Sequence, residues 1–346
     1  MKIAYVGCRT TKERNARGKG LMVYEISESG AWKEKQCLFT EENPSYQCLD
    51  REKKYLYSVH GDLTKLSSYR ILEDGTLMHL NTIDIGRKNP VDITVDAANR
   101  NVIAATLQGG TLFTVKRNED GSLGEIISRF TYEGKEEGKV STVHQCLWDR
   151  KMNYIFACAQ GRINGYGQMR ALKYDAESGT LTETGRFLAR TWDEPRHAAV
   201  HPNNRWVYMC EEKGNKVLYF SFDESTGKIE ALQELSTVPE TVTSYSDASE
   251  VMIDPSGRWV LVSNRYTDSI AVYRIDPLTG YLKTTGFYPC LGKTPRFFCF
   301  GPDGRCYVAN EDSDTIVEFN FDAATGQLTP TLNIVPTGSP VCITFM

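Results

Sequence analysis

A chain of 346 residues with 40% hydrophobic and 24% charged side chains has the composition of an ordinary water-soluble globular protein. Its net charge of -4, with lysines such as Lys19, Lys33 and Lys35 scattered among acids, excludes a nucleic-acid-binding face or arm. No apolar stretch approaches the ~20 residues that cross a bilayer, and MKIAYVGCRT is too short an apolar run for a signal peptide, so a cytoplasmic protein with no membrane partner is expected.

Taken in order, KIAYVGCRT (2–10), GLMVYEIS (20–27) and GAWKEKQ (30–36) read as three strands that lack a first partner. NPSYQCLDREKKYLYSVHG (43–61) then reads as a hairpin: a short apolar run, a polar break and a second alternating run. The layout returns in NPVDITVDAANRNVIAATL (89–107), TVHQCLWDRKMNYIFACAQ (142–160) and EPRHAAVHPNNRWVYMCEE (194–212). It returns again in SDASEVMIDPSGRWVLVSNR (246–265) and TPRFFCFGPDGRCYVANED (294–312). A third run follows, as in NKVLYFSFDESTGKIEALQ, DSIAVYRIDPLTGYLKTTG and DTIVEFNFDAATGQLTPTL. There a D-x-x-T-G turn, whose Gly supplies positive φ, leads into a fourth strand. SPVCITF (339–345) repeats the first strand alone.

Four strands per unit make the blade of a β-propeller. Taking Tyr46, Asp92, His144, His197, Glu250, Phe297 and Cys342 as equivalent gives spacings of 45 to 53 residues, near the usual propeller period. Six units are complete and the seventh is divided between the chain ends. The expected architecture is an all-β, seven-bladed β-propeller, one domain over residues 1–346, with one blade completed by strands from both termini. Closure removes two exposed sheet edges. None of the ten cysteines forms a CxxC pair. Cys146, Cys158, Cys210, Cys299 and Cys342 lie in strand-like runs, which predicts buried, reduced thiols.

In each hairpin the start of the first strand and the end of the second share one face, around the central channel. The starts supply Ser45-Tyr46, Val91-Asp92, Val143-His144, Arg196-His197, Ser249-Glu250 and Arg296-Phe297. The ends supply Arg9, His60, Gln160, Glu211-Glu212, Asn264-Arg265 and Glu311-Asp312, among others. Glu211 and Glu212 point oppositely on a strand, and Glu212 is assigned to the channel. His197, Glu250, Arg296 and Asp92 are expected as substrate contacts at this mouth. His197 and Arg296 would otherwise brace a neighbouring blade, and His60 belongs to the channel wall or the surface. His201, at the far end of its strand, is read as structural. GRINGYGQ (161–168) lacks the Lys and hydroxyl residue of a P-loop and is expected to form a loop on the channel face, with Arg162 or Tyr166 as contacts. His144, His197 and Glu250 are expected to stand whole blades apart, too far to share a metal, and no metal or organic cofactor is expected.

The stretches YVGCRT…GKGLMVYEI, PRHAAVHPNNRWVYMCEE, EVMIDPSGRWVLVSNRYTDSIAVYRID and PRFFCFGPDGRCYVANEDSDTIVEFNFDAATGQL resemble the lactonase family of seven-bladed propellers. That family includes bacterial 6-phosphogluconolactonases and fungal 3-carboxy-cis,cis-muconate lactonizing enzymes. The resemblance runs through nearly the full chain and implies a catalytic set of one His, two Arg and one Glu. Residue by residue these fall on His144, Arg196, Glu212 and Arg265. The chain departs from the family pattern in having Glu211 before Glu212 and Asp92 where His is common.

The implied partner is a small anionic lactone, and arginine suits such a ligand because it stays charged and binds oxyanions in a planar, bidentate manner. One Arg would hold the anionic handle and another the developing oxyanion, with His144 or Glu212 as general base. This implies hydrolysis of 6-phosphogluconolactone or a related acidic sugar lactone. The same funnel would also suit cycloisomerisation of a carboxymuconate. The acids at its mouth equally suit a propeller that only binds a ligand or a protein.

Overall fold

The computed structural model describes residues 2–346, and in them strands form seven four-stranded antiparallel sheets. Six sheets follow chain order, with inner strands at Pro44–Leu49, Pro90–Val95, Leu147–Trp148, Pro195–Val200, Asp247–Ile253 and Pro295–Phe300. These are the first to sixth blades. The closing blade sets Pro340–Phe345 beside Lys2–Cys8, followed by Leu21–Ile26 and Trp32–Leu38. Ala4 faces Phe345 and Tyr5 faces Thr344 across that seam. The divided blade expected from the repeats is therefore present.

The strand sequences record where each lies in its blade. Second strands such as Asn101–Thr106, Tyr154–Ala159 and Trp206–Glu211 are buried at every residue. They are covered on both faces by adjacent blades and so read as nearly continuous apolar runs. Outer strands such as Leu123–Thr131 alternate buried or half-buried with exposed residues, because one edge and part of one face meet water. The core thus lies between blades. Trp206, Tyr208 and Tyr219 of the fourth blade pack with Val260, Val262 and Tyr273 of the fifth. At the D-x-x-T-G turns, Gly280 adopts φ 82° and a Cβ there would lie 2.7 Å from Trp206 of the preceding blade. Tyr208 Oη donates to the Gly280 carbonyl at 2.8 Å, so the turn glycine is also a docking point between blades.

Two features of the inner strands position the channel. Neighbouring inner strands are clasped by side chains that imitate a strand: the Ala198 amide donates to Gln145 Oε1 at 2.6 Å, and Gln145 Nε2 donates back to the Ala198 carbonyl at 3.3 Å. A bulge also opens five inner strands, where Pro195 faces Glu211 but His197 already faces Cys210. Ser45, Val91, Arg296 and Val341 occupy the position of Arg196 in their own blades. A bulge re-aims the extra residue, so two consecutive side chains turn to one side. No helix among the described residues is long and apolar enough to cross a membrane.

Candidate functional site

The channel mouth holds a cavity of about 210 Å³. The bulge places both Arg196 and His197 on its wall, where a regular strand would have presented one and hidden the other. Arg196 is 3% exposed; its Nη1 donates to the Ser249 carbonyl at 2.6 Å, and its Nε lies 3.2 Å from Glu212 Oε2. Burial, then the neighbouring Arg265, pushes the Arg196 guanidinium down to about 10, still charged at neutral pH.

Glu212 lines the cavity as expected, and all its donors are cationic or amide groups. Arg265 Nη2 approaches Oε1 at 3.0 Å, while Gln160 Nε2 donates to Oε2. Burial alone would raise this carboxyl, but Arg265 and Arg196 outweigh it and hold it at about 2. Glu211 points the other way, toward Lys216 and Asp193, and burial raises it to about 8. Arg265 does not line the cavity. It sits behind Glu212, with Asp247 Oδ2 at 3.8 Å, and so orients the carboxylate.

His144, His197 and Glu250 form a hydrogen-bonded line. His197 Nδ1 lies 2.8 Å from Glu250 Oε1, and His197 Nε2 lies 3.1 Å from His144 Nδ1. The expectation that whole blades would separate them fails, because the inner strands converge on the channel axis. Their order in a line fixes the tautomers. Glu250 Oε1 also accepts the Val251 amide at 3.1 Å, so His197 donates to it from Nδ1. Neutral His197 then accepts at Nε2, His144 donates from Nδ1, and the lone pair of His144 is left on Nε2. His144 lines the cavity, and its Nε2 has no hydrogen-bond partner among the described residues. Burial, then Arg196 and His197, pushes the His144 imidazolium well below 6.5, and His197 is lowered too, chiefly by burial. The described residues contain no group of three or more His, Cys, Asp or Glu placed to hold a metal ion.

The opposite side is more basic than the sequence suggested. Arg9, Arg14, Ser45 and Arg296 line it, and Tyr46, Phe297 and Val341 make an apolar part of the wall. Arg14 escapes sequence reasoning because it lies on a short 3-10 turn, Lys12–Arg14, between two strands of the closing blade and outside the repeat. Arg296 pairs with Glu311 at 3.3 Å within its own blade, so it is a wall residue rather than a brace to the next blade. Arg162, as expected, reaches the cavity from the 161–168 loop and donates to Gln160 Oε1 at 3.1 and 2.8 Å. Tyr166 does not line this cavity. It borders a separate depression, with Lys135 Nζ 6.0 Å from its ring centre.

Other expectations need correction. Asp92 is not a cavity residue: its carboxylate accepts the Ile93 amide at 2.8 Å and the Cys146 amide at 2.7 Å. It thereby holds the irregular stretch before Leu147, where the third blade's inner strand is limited to Leu147–Trp148 and His144 sits just ahead of it. Burial raises the Asp92 carboxyl to about 8. His60 belongs neither to the channel wall nor to the surface. Fully buried, it hydrogen-bonds Ser67 Oγ at 2.7 Å and the Glu42 carbonyl at 3.0 Å. His201 Nε2 contacts the Gly257 carbonyl at 2.8 Å, the structural role expected of it.

Comparison with known proteins matches this chain over residues 3–345 to the sequence model of the family described as lactonase, 7-bladed beta-propeller. A 6-phosphogluconolactonase of Bacillus subtilis is 29% identical, covering 99% of this chain and 98% of its own length. A 6-phosphogluconolactonase of Formosa agariphila is 27% identical over 94% of both chains. The solved periplasmic gluconolactonase of Pseudomonas aeruginosa shares the fold with a TM-score of 0.89, at 22% identity over 100% of this chain and 99% of that one.

Proposed function

The chain belongs to the seven-bladed β-propeller lactonase family, and from that premise we propose that it hydrolyses an anionic sugar lactone, 6-phosphogluconolactone in particular. The observation that carries the reading is the line Glu250–His197–His144, which leaves an unprotonated Nε2 facing an arginine-lined cavity.

In this reading His144 Nε2 takes a proton from water as the water oxygen attacks the lactone carbonyl. Arg196, buried and fixed by Ser249 and Glu212, faces the negative charge that develops on the carbonyl oxygen. The ester C–O bond of the ring then breaks, and the proton passes from His144 to the departing alkoxide. The product is the open-chain hydroxy acid. His197 and Glu250 hold His144 in the tautomer that can accept a proton, acting as positioning residues rather than substrate contacts. Glu212 is a poor base, being held at about 2 with both oxygens occupied by donors, and its role is to orient Arg196. Arg265 supports Glu212 from behind.

The mechanism is metal-independent in its design. Both nitrogens of His197 are committed to the line, and Glu212 is committed to guanidinium partners. Free thiols at all ten cysteines fit a reducing compartment, and we assign the protein to the cytoplasm.

The test is acid release from freshly prepared 6-phosphogluconolactone, with the His144→Ala protein as blank for spontaneous opening. A wild-type rate well above the blank is expected and should persist in chelator. Equal rates would overturn the reading, and activity lost in chelator and restored by a divalent ion would overturn its metal independence.

A further inference from the structure

Arg9 is 3% exposed and lines the cavity, yet its Nε has no hydrogen-bond partner among the described residues. Its Nη1 reaches Asp62 Oδ2 only at 3.4 Å, and Arg14 Nε already occupies that oxygen at 2.8 Å. Asp62 therefore serves two guanidiniums, and Glu311 serves Arg296. Three arginines here face two carboxylates. Burial, then the charge of Arg296, pushes Arg9 down to about 9, with Glu311 and Asp62 offsetting only part of the shift.

A hydroxyl stands among them. Ser45 occupies the bulge position of the first blade; it is buried, lines the cavity and has no hydrogen-bond partner for its Oγ among the described residues. A single Cβ added to Gly61 would lie 2.6 Å from Arg9 Nη1 and 2.8 Å from Ser45 Oγ. The guanidinium and the hydroxyl are thus neighbours, and only glycine at 61 leaves space for both.

We propose that Arg9, Ser45 and Arg296, with Arg14 beside them, form a subsite for the phosphate monoester of the substrate, across the channel from His144 and Arg196. These groups belong to the closing, first and sixth blades, consecutive around the ring, whereas His144 and Arg196 belong to the third and fourth. The number of donors favours phosphate over carboxylate. A phosphate monoester offers three terminal oxygens and close to two negative charges at neutral pH, enough to engage several guanidiniums and a hydroxyl together. The proposal deepens the lactonase reading and rests on it for the identity of the substrate, but the anion subsite itself can be tested without turnover.

The intact protein is titrated with inorganic phosphate by calorimetry, alongside Arg9→Gln, Arg296→Gln and Ser45→Ala. Wild type should bind, with affinity about tenfold or more weaker in each variant. The ratio of kcat/KM for 6-phosphogluconolactone to that for glucono-δ-lactone should fall by a similar factor. Arg186→Gln, which removes an exposed charge paired with Glu183 on an outer strand, should alter neither quantity. Ser45→Ala removes a single oxygen and keeps the test decisive if the buried Arg9 variant does not fold. Failure of phosphate to bind wild type, or equal affinity in wild type and the folded variants, overturns the subsite. If phosphate binds as expected and neither lactone is opened, the lactonase reading falls and the anion subsite stands. If both lactones are opened with equal kcat/KM, the reading stands and the subsite falls.

Discussion

The imidazoles of His144 and His197 lie 3.1 Å apart, nitrogen to nitrogen, with ring planes at 63°, although they head consecutive blades 53 residues apart in the chain. A direct contact between two buried rings means that the protonation of one dictates that of the other. The first prediction follows from this dependence.

His197→Phe keeps the ring volume against Tyr46 but removes both hydrogen bonds, so His144 loses the partner that keeps its Nε2 unprotonated. We expect kcat to fall about a hundredfold, within the range for loss of general-base function, with KM little altered. Glu250→Gln should give a smaller loss. A rise in KM with kcat unchanged would assign His197 to substrate binding instead.

The pH profile follows from the direction in which His144 is shifted. Burial and nearby guanidiniums keep it neutral well below pH 6.5, so the base stays competent down to that region. The expected profile of kcat/KM is flat from pH 6.5 to 8, after subtraction of spontaneous opening, with the acid limb displaced below pH 6.5. A limb centred at pH 6.5 or above would mean that an unburied base carries the reaction.

Glu212 is predicted to matter for stability as well as activity. Its folded-state carboxyl is depressed to about 2 from 4.5, so its contribution is present above pH 4.5 and is lost as pH falls toward 2. Glu212→Ala would leave Arg196 and Arg265 buried without their shared counter-ion. Breaking such a buried pair costs about 3–5 kcal/mol, and urea denaturation at pH 7 should register a loss of that order. The variant should also show a shallower loss of stability between pH 4.5 and 2 than wild type, the difference being the part that Glu212 supplies.

Removing residues 341–346 takes away most of the inner strand that pairs with Lys2–Cys8. That strand also shares a buried cluster with Phe297 and Tyr307 through Cys342 and Ile343. The truncated protein should melt many degrees lower or fail to fold, because a core strand is lost and the ring opens. An unchanged melting temperature would contradict closure by this strand.

The ring was legible because each unit repeats one physical pattern: two buried runs around a polar turn, then a third run and a glycine turn. Strand alternation also separated Glu212 from Glu211. The finer site was less legible, for identifiable reasons. The bulge at Arg196 leaves no mark in an alternating pattern, so nothing in the sequence explained why adjacent Arg196 and His197 both face the cavity. Equivalence between blades says which residues share a level but not how tightly the inner strands converge, and so it hid the His144–His197 contact. Arg265 and Asp92 occupy the right level yet turn toward Glu212 and the Cys146 amide, since a buried charge or ladder gap nearby satisfies them better than the cavity does. Arg14 comes from outside the repeat, where no periodic argument reaches.

The seam between Lys2–Cys8 and Pro340–Phe345 bears on how the protein is made. The strand leading to Arg9 leaves the ribosome long before its neighbour, because the six other blades lie between them in the chain. Until Pro340–Phe345 is made, that earlier strand has one edge unpaired, and the Arg9 side of the cavity stands open at the seam. The Arg9 side of the cavity is therefore completed only when both strands of the seam have been made. A circularly permuted chain, with residue 346 joined to residue 1 and new ends cut in an exposed blade-to-blade turn, would pair these strands within one local segment and assemble this side of the site early.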